Sequence, residues 1–480
     1  MRYQSTRGGA SKLSASEAIL KGIADDGGLY VPETFPEALD LNVCLLDYKQ
    51  KAAEIFKLYL GDYTEEEIKE CVEAAYGSES FDTPVVAPLE QRNGCWFLEL
   101  FHGKTLAFKD VALSILPHFM RFAAKKNKLD QTLAILVATS GDTGKAALEG
   151  FADCPGTAIV VFFPENGVSS VQKLQMQTQE GDNTHVVGVL GNFDDTQAGV
   201  KKIFLDPPEG FRFSSANSIN IGRLLPQIVY YFHAYGQLAQ KGAIALGDEI
   251  SFTVPTGNFG NILAGYYAKR MGLPIKTLLC ASNENKVLYD FFTTGEYDKN
   301  RKFVLTASPS MDILVSSNLE RLLYHASGAE ETSARMKSLS QSGRYFAPEN
   351  YPGFAAKHAT EEECAQGMKE MFEAGYVIDP HTAVAYECFK KHREETGATE
   401  PNVIISTASP FKFTESVCRA IDPSLPEIPA LEGALVLAGL AKSSVPRQIE
   451  ELGWKPKRHG AVCSKEGMRQ EIESFLVGLR

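Results

Sequence analysis

Leu133-Ala134-Ile135-Leu136-Val137-Ala138-Thr139-Ser140-Gly141-Asp142-Thr143-Gly144 is the stretch whose reading decides the fold. Its apolar half lacks polar alternation and reads as a strand covered on both faces. The break into Thr, Ser, Gly and Asp, followed by the helical pattern Lys145 to Phe151, makes a strand, a loop and a helix in succession. That order returns at Ala158 to Phe163 and at His185 to Leu190, each leading into a helical pattern. A second series begins at Ile250 to Val254, continues at Thr277 to Ala281 and ends at Asn402 to Ser406. Buried strands alternating with helices predict an α/β protein of two doubly wound units with a cleft between them.

Around those units the chain divides by composition. Residues 1–90 are expected to form an N-terminal domain with helices near Ala52 to Leu60 and Thr64 to Tyr76. Residues 91–235 carry the first α/β unit, 236–425 the second, and 426–480 a C-terminal extension with a helix near Lys465 to Val477 that Gly478 would end. The length of 480 residues exceeds what one hydrophobic core supports.

Charge and cysteine usage narrow the partners. A formal net charge of −12 disfavours a nucleic-acid or anionic-membrane surface, which leaves a small molecule as the expected partner. Nine dispersed cysteines form no Cys-x-x-Cys pair, and no histidine cluster has zinc-ligand spacing, so no metal is expected. Free thiols, no signal-type leader and no apolar run of membrane-spanning length read as a cytoplasmic protein.

Lys109 is the candidate chemical residue. It follows Leu106-Ala107-Phe108, and desolvation there favours the nucleophilic amine over the ammonium. Such a lysine condenses with an aldehyde, which is how pyridoxal phosphate is held; taken alone, the segment favours a snorkelling lysine at a helix start, and it is the other segments that reverse the reading. A helix from Asp110 to Ala124, kinked at Pro117, would place its positive end against the amine.

Two loops strengthen the cofactor reading. Pro255-Thr256-Gly257-Asn258-Phe259-Gly260-Asn261 joins a buried strand to the helical stretch Ile262 to Arg270, where backbone amides and a helix dipole can receive a phosphate. Its glycines would allow close approach and unusual dihedrals, although a plain tight turn has the same composition. Thr139-Ser140-Gly141-Asp142-Thr143-Gly144 offers hydroxyls and helix-start amides to a carboxylate, or simple helix capping. A P-loop fails because Lys145 is followed by Ala146, and a dinucleotide fingerprint fails because Gly257-Asn258-Phe259-Gly260 lacks its spacing.

Taken together, Thr105-Leu106-Ala107-Phe108-Lys109-Asp110, the Thr139 to Gly144 loop, Ser215-Ala216-Asn217-Ser218-Ile219-Asn220 and Gly257 to Asn261 resemble the signature series of the threonine synthase family. The resemblance starts at Ser5-Thr6-Arg7-Gly8, passes Ala24 to Pro32 and reaches Ser406-Thr407-Ala408, in order along nearly the whole chain. It implies the type II fold of pyridoxal-phosphate enzymes with an added N-terminal domain. It also implies that Lys109 holds the cofactor aldehyde, that Gly257, Asn258, Phe259, Gly260 and Asn261 receive its phosphate, that Asp142 stands near its 3-hydroxyl and that Thr407 faces its pyridine nitrogen.

The reaction implied is conversion of O-phosphohomoserine and water to threonine and phosphate, by a monomer or a homodimer. Lys104, Thr139, Ser140, Thr143, Asn217, Ser218 and Arg223 are the candidate substrate residues, with Arg7 as a contributor. Arg223 reads either as a bidentate phosphate clamp or as a solvated helix residue paired with an acidic neighbour. The chain departs from many relatives at Lys104, where they carry proline, and at Ser409, where they carry histidine. Those departures keep two alternatives open: a phospholyase that releases a 2-oxo acid, and a relative that binds cofactor or metabolite without turnover.

Overall fold

The computed structural model describes residues 1–139, 141–191, 193–205, 211–426 and 428–479. Two sheets organise it. The first has five parallel strands in the order Ala461–Ser464, Thr184–Leu190, Thr157–Pro164, Thr132–Ala138 and Phe211–Ser214. The second has six, in the order Phe354–His358, Ile275–Ser282, Ile250–Pro255, Asn402–Ser406, Cys95–Glu99 and Leu89–Arg92, parallel except for the final hairpin. Thr157–Pro164, Ile250–Pro255 and Asn402–Ser406 are buried along their whole length, as strands with helices on both faces must be.

Sheet membership departs from the expected division at 91 and 426. Cys95–Glu99 pairs with Asn402–Ser406 across more than three hundred residues of sequence and so belongs to the second sheet. The extension returns to the first sheet as the edge strand Ala461–Ser464 beside Thr184–Leu190. That strand alternates half-buried and exposed residues, so no apolar run marks it in the sequence. Nor does the N-terminal region have a core of its own: one apolar cluster joins Tyr3, Ile55 and Tyr59 to Phe119, Tyr231 and Phe252.

Local chemistry sets the helix ends. Asp47 with Gln50 and Thr64 with Glu67 form capping boxes that start Tyr48–Tyr59 and Glu65–Ala75, each cap contributing about 1 kcal/mol. The expected kinked helix after Lys109 is instead two helices, Lys109–Leu113 and Leu116–Lys126. Pro117 lies in the first turn of the second, where a missing N–H leaves no hydrogen bond unmade. Gly478 lies inside the last helix, Met468–Gly478, and Leu479 caps it.

The loops after Thr132–Ala138, Phe211–Ser214, Ile250–Pro255, Cys95–Glu99 and Asn402–Ser406 all leave the carboxyl ends of parallel strands. Ligands bind at such ends in open α/β sheets. The segments holding Lys109, Asp142, Asn217, Gly257 and Thr407 are these loops.

Candidate active site

The segment before Lys109 is stitched to the end of Asn402–Ser406. Phe108 N–H donates to the Thr407 carbonyl at 2.8 Å and Ser409 N–H donates to the Leu106 carbonyl at 3.0 Å. Asp110 accepts from Thr105 N–H and Oγ1 at 2.8 and 2.6 Å, and a Cβ on Gly103 would lie 2.4 Å from it. The backbone on both sides of the lysine is therefore fixed.

Lys109 is 8% exposed. Its Nζ lies 3.4 Å from Ser310 Oγ, 3.7 Å from Asp142 Oδ2 and 4.6 Å from the centre of the Phe108 ring. Burial, aided by the positive charges of Lys412 and Arg223, pulls the amine down to about 8 against the opposing pull of Asp142. Snorkelling is thus ruled out by burial. The helix at Lys109 has five residues, so desolvation rather than a helix dipole supplies the effect.

Asp142 sits in a charge network that the sequence did not reveal. Burial opposes its ionisation, but Lys412 and Lys109 outweigh it and hold the carboxyl well below the usual range. Lys412 Nζ lies 2.8 Å from Asp142 Oδ1 and donates to the Thr105 carbonyl at 2.7 Å; Gln172 Nε2 donates to the same carboxylate at 2.9 Å. Lys412 is fully buried, and the available signal was a lysine between Phe411 and Phe413, the kind of setting that marked Lys109.

The turn Gly257 to Asn261 is built by its neighbours. Ser316 Oγ donates to the Gly257 carbonyl at 2.6 Å, and Asn318 donates twice to the Asn258 carbonyl, at 3.1 and 2.9 Å. The left-handed residue is Phe259, at φ 64°, and not either glycine, contrary to expectation. Its ring is buried against Phe292 and Phe354, which holds it in that conformation. Gly257 is required by crowding instead, because a Cβ there would lie 2.4 Å from the Ser310 carbonyl. Gly260 opens Gly260–Arg270, and a Cβ on it would meet nothing closer than Asn318 Nδ2 at 3.6 Å, with Ser218 Cβ at 3.9 Å.

Arg223 is 2% exposed, so the solvated reading falls. Its Nη1 donates to the Ala216 carbonyl at 2.6 Å, while Nε is buried without a partner; burial pulls the guanidinium down to about 10. Asn217 Oδ1 and Asn261 Nδ2 are likewise buried and unpartnered, although Asn261 Oδ1 accepts from Tyr230 and Tyr231 at 2.7 and 2.8 Å. Asn217 Oδ1 is an acceptor, but the two orphaned donors, Arg223 Nε and Asn261 Nδ2, and the uncompensated guanidinium favour an anionic ligand. The open cradle at Gly260, the free Asn261 Nδ2 and the buried amine fit a phosphate-bearing aldehyde, and the Arg223 guanidinium remains for a second anion.

Other expected substrate residues have different work. Thr139 Oγ1 accepts from Gly141 and Gly144 N–H, both at 2.9 Å, and donates to the Gly141 carbonyl, so it shapes the loop and has no capacity left for a ligand. Lys104 is 47% exposed on its side chain and faces Glu149 at 3.5 Å, because its position before the buried turn points it outward. Arg7 is bound to Glu320 through Nε and Nη2 at 2.9 and 3.0 Å. Thr143 is half-buried at the start of Asp142–Phe151, Asn258 is exposed, Thr407 is buried, and Ser140 lies outside the described residues. Ser409 Oγ caps Phe411 N–H at 3.4 Å.

A lysine amine buried at the junction of two parallel sheets, facing a glycine turn that opens a helix, defines a pyridoxal-phosphate enzyme of fold type II. The backbone matches a crystal structure of PLP-bound threonine synthase from Brucella melitensis with a TM-score of 0.86 and 36% identity over 99% of each chain. It also matches threonine synthase from yeast with a TM-score of 0.89, at 30% identity and 99% of each chain. Family profiles described as "Threonine synthase N terminus" and "Threonine synthase, C-terminal" match residues 2–76 and 382–467. The curated threonine synthase of Pseudomonas aeruginosa is 40% identical over 90% of this chain and 92% of its own length. The chain belongs to the threonine synthase family of pyridoxal-phosphate-dependent lyases.

Proposed function

We propose that the protein converts O-phosphohomoserine and water to L-threonine and phosphate, the last step of threonine biosynthesis. The observation that carries this reading is Arg223, a buried guanidinium with an unpartnered Nε, close enough to Lys109 to depress its amine. No carboxylate pairs with it among the described residues. A substrate phosphate supplies the missing counter-ion, and bidentate recognition suits it.

When bound, pyridoxal phosphate supplies an electron sink for negative charge at the substrate's Cα and Cβ. Gly257, Asn258, Phe259, Gly260 and Asn261 would hold its phosphate, Asp142 would stand by its ring hydroxyl and Thr407 would face its pyridine nitrogen. Lys109, with a pKa of about 8, takes and returns protons at Cα and Cβ near neutral pH. Arg223, Asn217 and Ser218 grip the γ-phosphate and stabilise charge that develops as the Cγ–O bond breaks. Water then adds at Cβ, and atoms balance as threonine plus phosphate.

The nine free thiols suit a reducing compartment such as the cytoplasm, and a monomer or homodimer would suffice because the proposed residues all lie in one chain. Among the described residues no helix is long and apolar enough to cross a membrane. Mass spectrometry of the product from O-phosphohomoserine tests the reading. Threonine supports it. A 2-oxo acid would make the protein a phospholyase, the outcome that Ser409 leaves open by offering no titratable group, and absence of product would indicate a binding protein.

A further inference from the structure

We infer that His381 is a positioning residue for Lys109, acting through Ser310. The inference rests on the proposed role of Lys109 as the residue that captures the cofactor aldehyde. Ser310 brings its Oγ to 3.4 Å from Lys109 Nζ, and it belongs to the short turn Pro309–Met311. A turn of three residues does not fix its own place. Asn283 holds its flanks, donating to Ser308 Oγ at 3.0 Å and to Asp312 Oδ1 at 2.8 Å, and His381 holds its middle, where Nε2 accepts the Ser310 N–H at 3.1 Å.

The partner of Nε2 decides the tautomer. Because Nε2 accepts from Ser310, the ring proton sits on Nδ1, and Nδ1 donates to Asp379 Oδ2 at 2.6 Å. Asp379 is the N-cap of Pro380–Thr396; its Oδ1 accepts from Thr382 N–H at 3.2 Å and from Thr382 Oγ1, which in turn lies 3.0 Å from Ser406 Oγ. Phe413 packs its ring edge-on to the imidazole at 5.0 Å. His381, Asp379 and Thr382 are all buried. The imidazole is therefore held on three sides and presents one lone pair to the Ser310 amide.

This chain of contacts runs from the end of Asn402–Ser406, where the backbone before Lys109 is also stitched, to the hydroxyl that meets its amine. Both ends of the lysine side chain are thereby referenced to one strand. The Ser310 carbonyl also lies where a Cβ of residue 257 would stand, so the same turn abuts the phosphate turn. A misplaced Nζ slows attack on an aldehyde more than it weakens phosphate binding, because bond formation is sensitive to displacements of about 1 Å.

Stopped-flow capture of pyridoxal phosphate by the full-length apoprotein reads the attack, in which amine and aldehyde condense with loss of one water. Binding of pyridoxine 5′-phosphate, which has no aldehyde, reads the phosphate turn alone. Losing one hydrogen bond predicts that His381→Ala and Ser310→Ala each slow capture about tenfold and that the double variant is no slower than either. Pyridoxine 5′-phosphate affinity stays within about twofold, and His381→Gln, whose Oε1 can accept the Ser310 N–H, restores most of the rate. Parallel losses in capture and in pyridoxine 5′-phosphate affinity, additive losses, or wild-type capture by Ser310→Ala would each overturn the inference. Failure of the wild-type protein itself to capture pyridoxal phosphate would overturn the underlying role of Lys109 as well.

Discussion

Replacing Lys412 by methionine probes the electrostatics of the site at its least visible member. Lys412 is fully buried 2.8 Å from Asp142, and opposite charges at that spacing attract with roughly 6 kcal/mol before desolvation at an effective dielectric of 20. Removing one partner of a buried pair destabilises a protein by about 3–5 kcal/mol, so the variant should melt well below the wild type. The chemical effect is more specific. Asp142 would keep Lys109 as its remaining cation, 3.7 Å away, and the positive charge that helps depress Lys109 would be gone. Both changes favour the ammonium form. With the wild-type amine at about 8, roughly half is uncharged at pH 8; a rise of about one unit, or 1.4 kcal/mol, leaves about a tenth. Pyridoxal phosphate capture by Lys412→Met should therefore be about fivefold slower at pH 8, and the deficit should close as the pH approaches 10. A capture profile that coincides with the wild type across pH 7 to 10 would refute the assignment of Lys412 as a charge that aids burial in keeping Lys109 nucleophilic.

Lys109→Ala should abolish turnover and the visible absorbance of bound cofactor, and undiminished activity would sink the mechanism. In the apoprotein, Lys109→Met should gain stability: the folded pKa of about 8 lies below the ordinary 10.5, so below pH 8 the native state carries a penalty of up to about 3 kcal/mol. That penalty shrinks as pH rises from 8 to 10.5, where the unfolded chain binds the extra proton, so the melting advantage of Lys109→Met should shrink with it. Gly260→Asp should block cofactor capture by setting a carboxylate in the open cradle beside Ser218, and calorimetry showing normal occupancy would place the phosphate elsewhere. Arg223→Gln should raise the KM for O-phosphohomoserine at least tenfold while leaving cofactor capture within about threefold, and an unchanged KM would remove Arg223 from the substrate site.

The parallel strands were legible because burial on both faces leaves an uninterrupted apolar run. Ile250–Pro255 and Asn402–Ser406 lie where the sequence put them to within a residue. The edge strand Ala461–Ser464 was not legible, because half its residues face solvent and only Ala461 and Cys463 pack on the core. At the site, Lys109 stood out among apolar neighbours and Gly257 to Asn261 as a strand-to-helix turn. Thr139 was misread because a loop hydroxyl offered to a ligand and one turned back on its own backbone look alike in sequence.

The sequence by itself determined the α/β class, the family resemblance, and the positions of the lysine among apolar neighbours and of the strand-to-helix turn at Gly257 to Asn261, since each depends on residues that are neighbours in the chain. Only the tertiary structure decided which sheet Cys95–Glu99 joins, that Arg223 is an uncompensated buried cation while Arg7 is already paired, that Ser310 meets the amine with His381 behind it, and that Lys412 pairs with Asp142. Burial and charge pairing are properties of what folds against a residue. Lys412 meets Asp142 from some 270 positions away, and no local pattern encodes that distance.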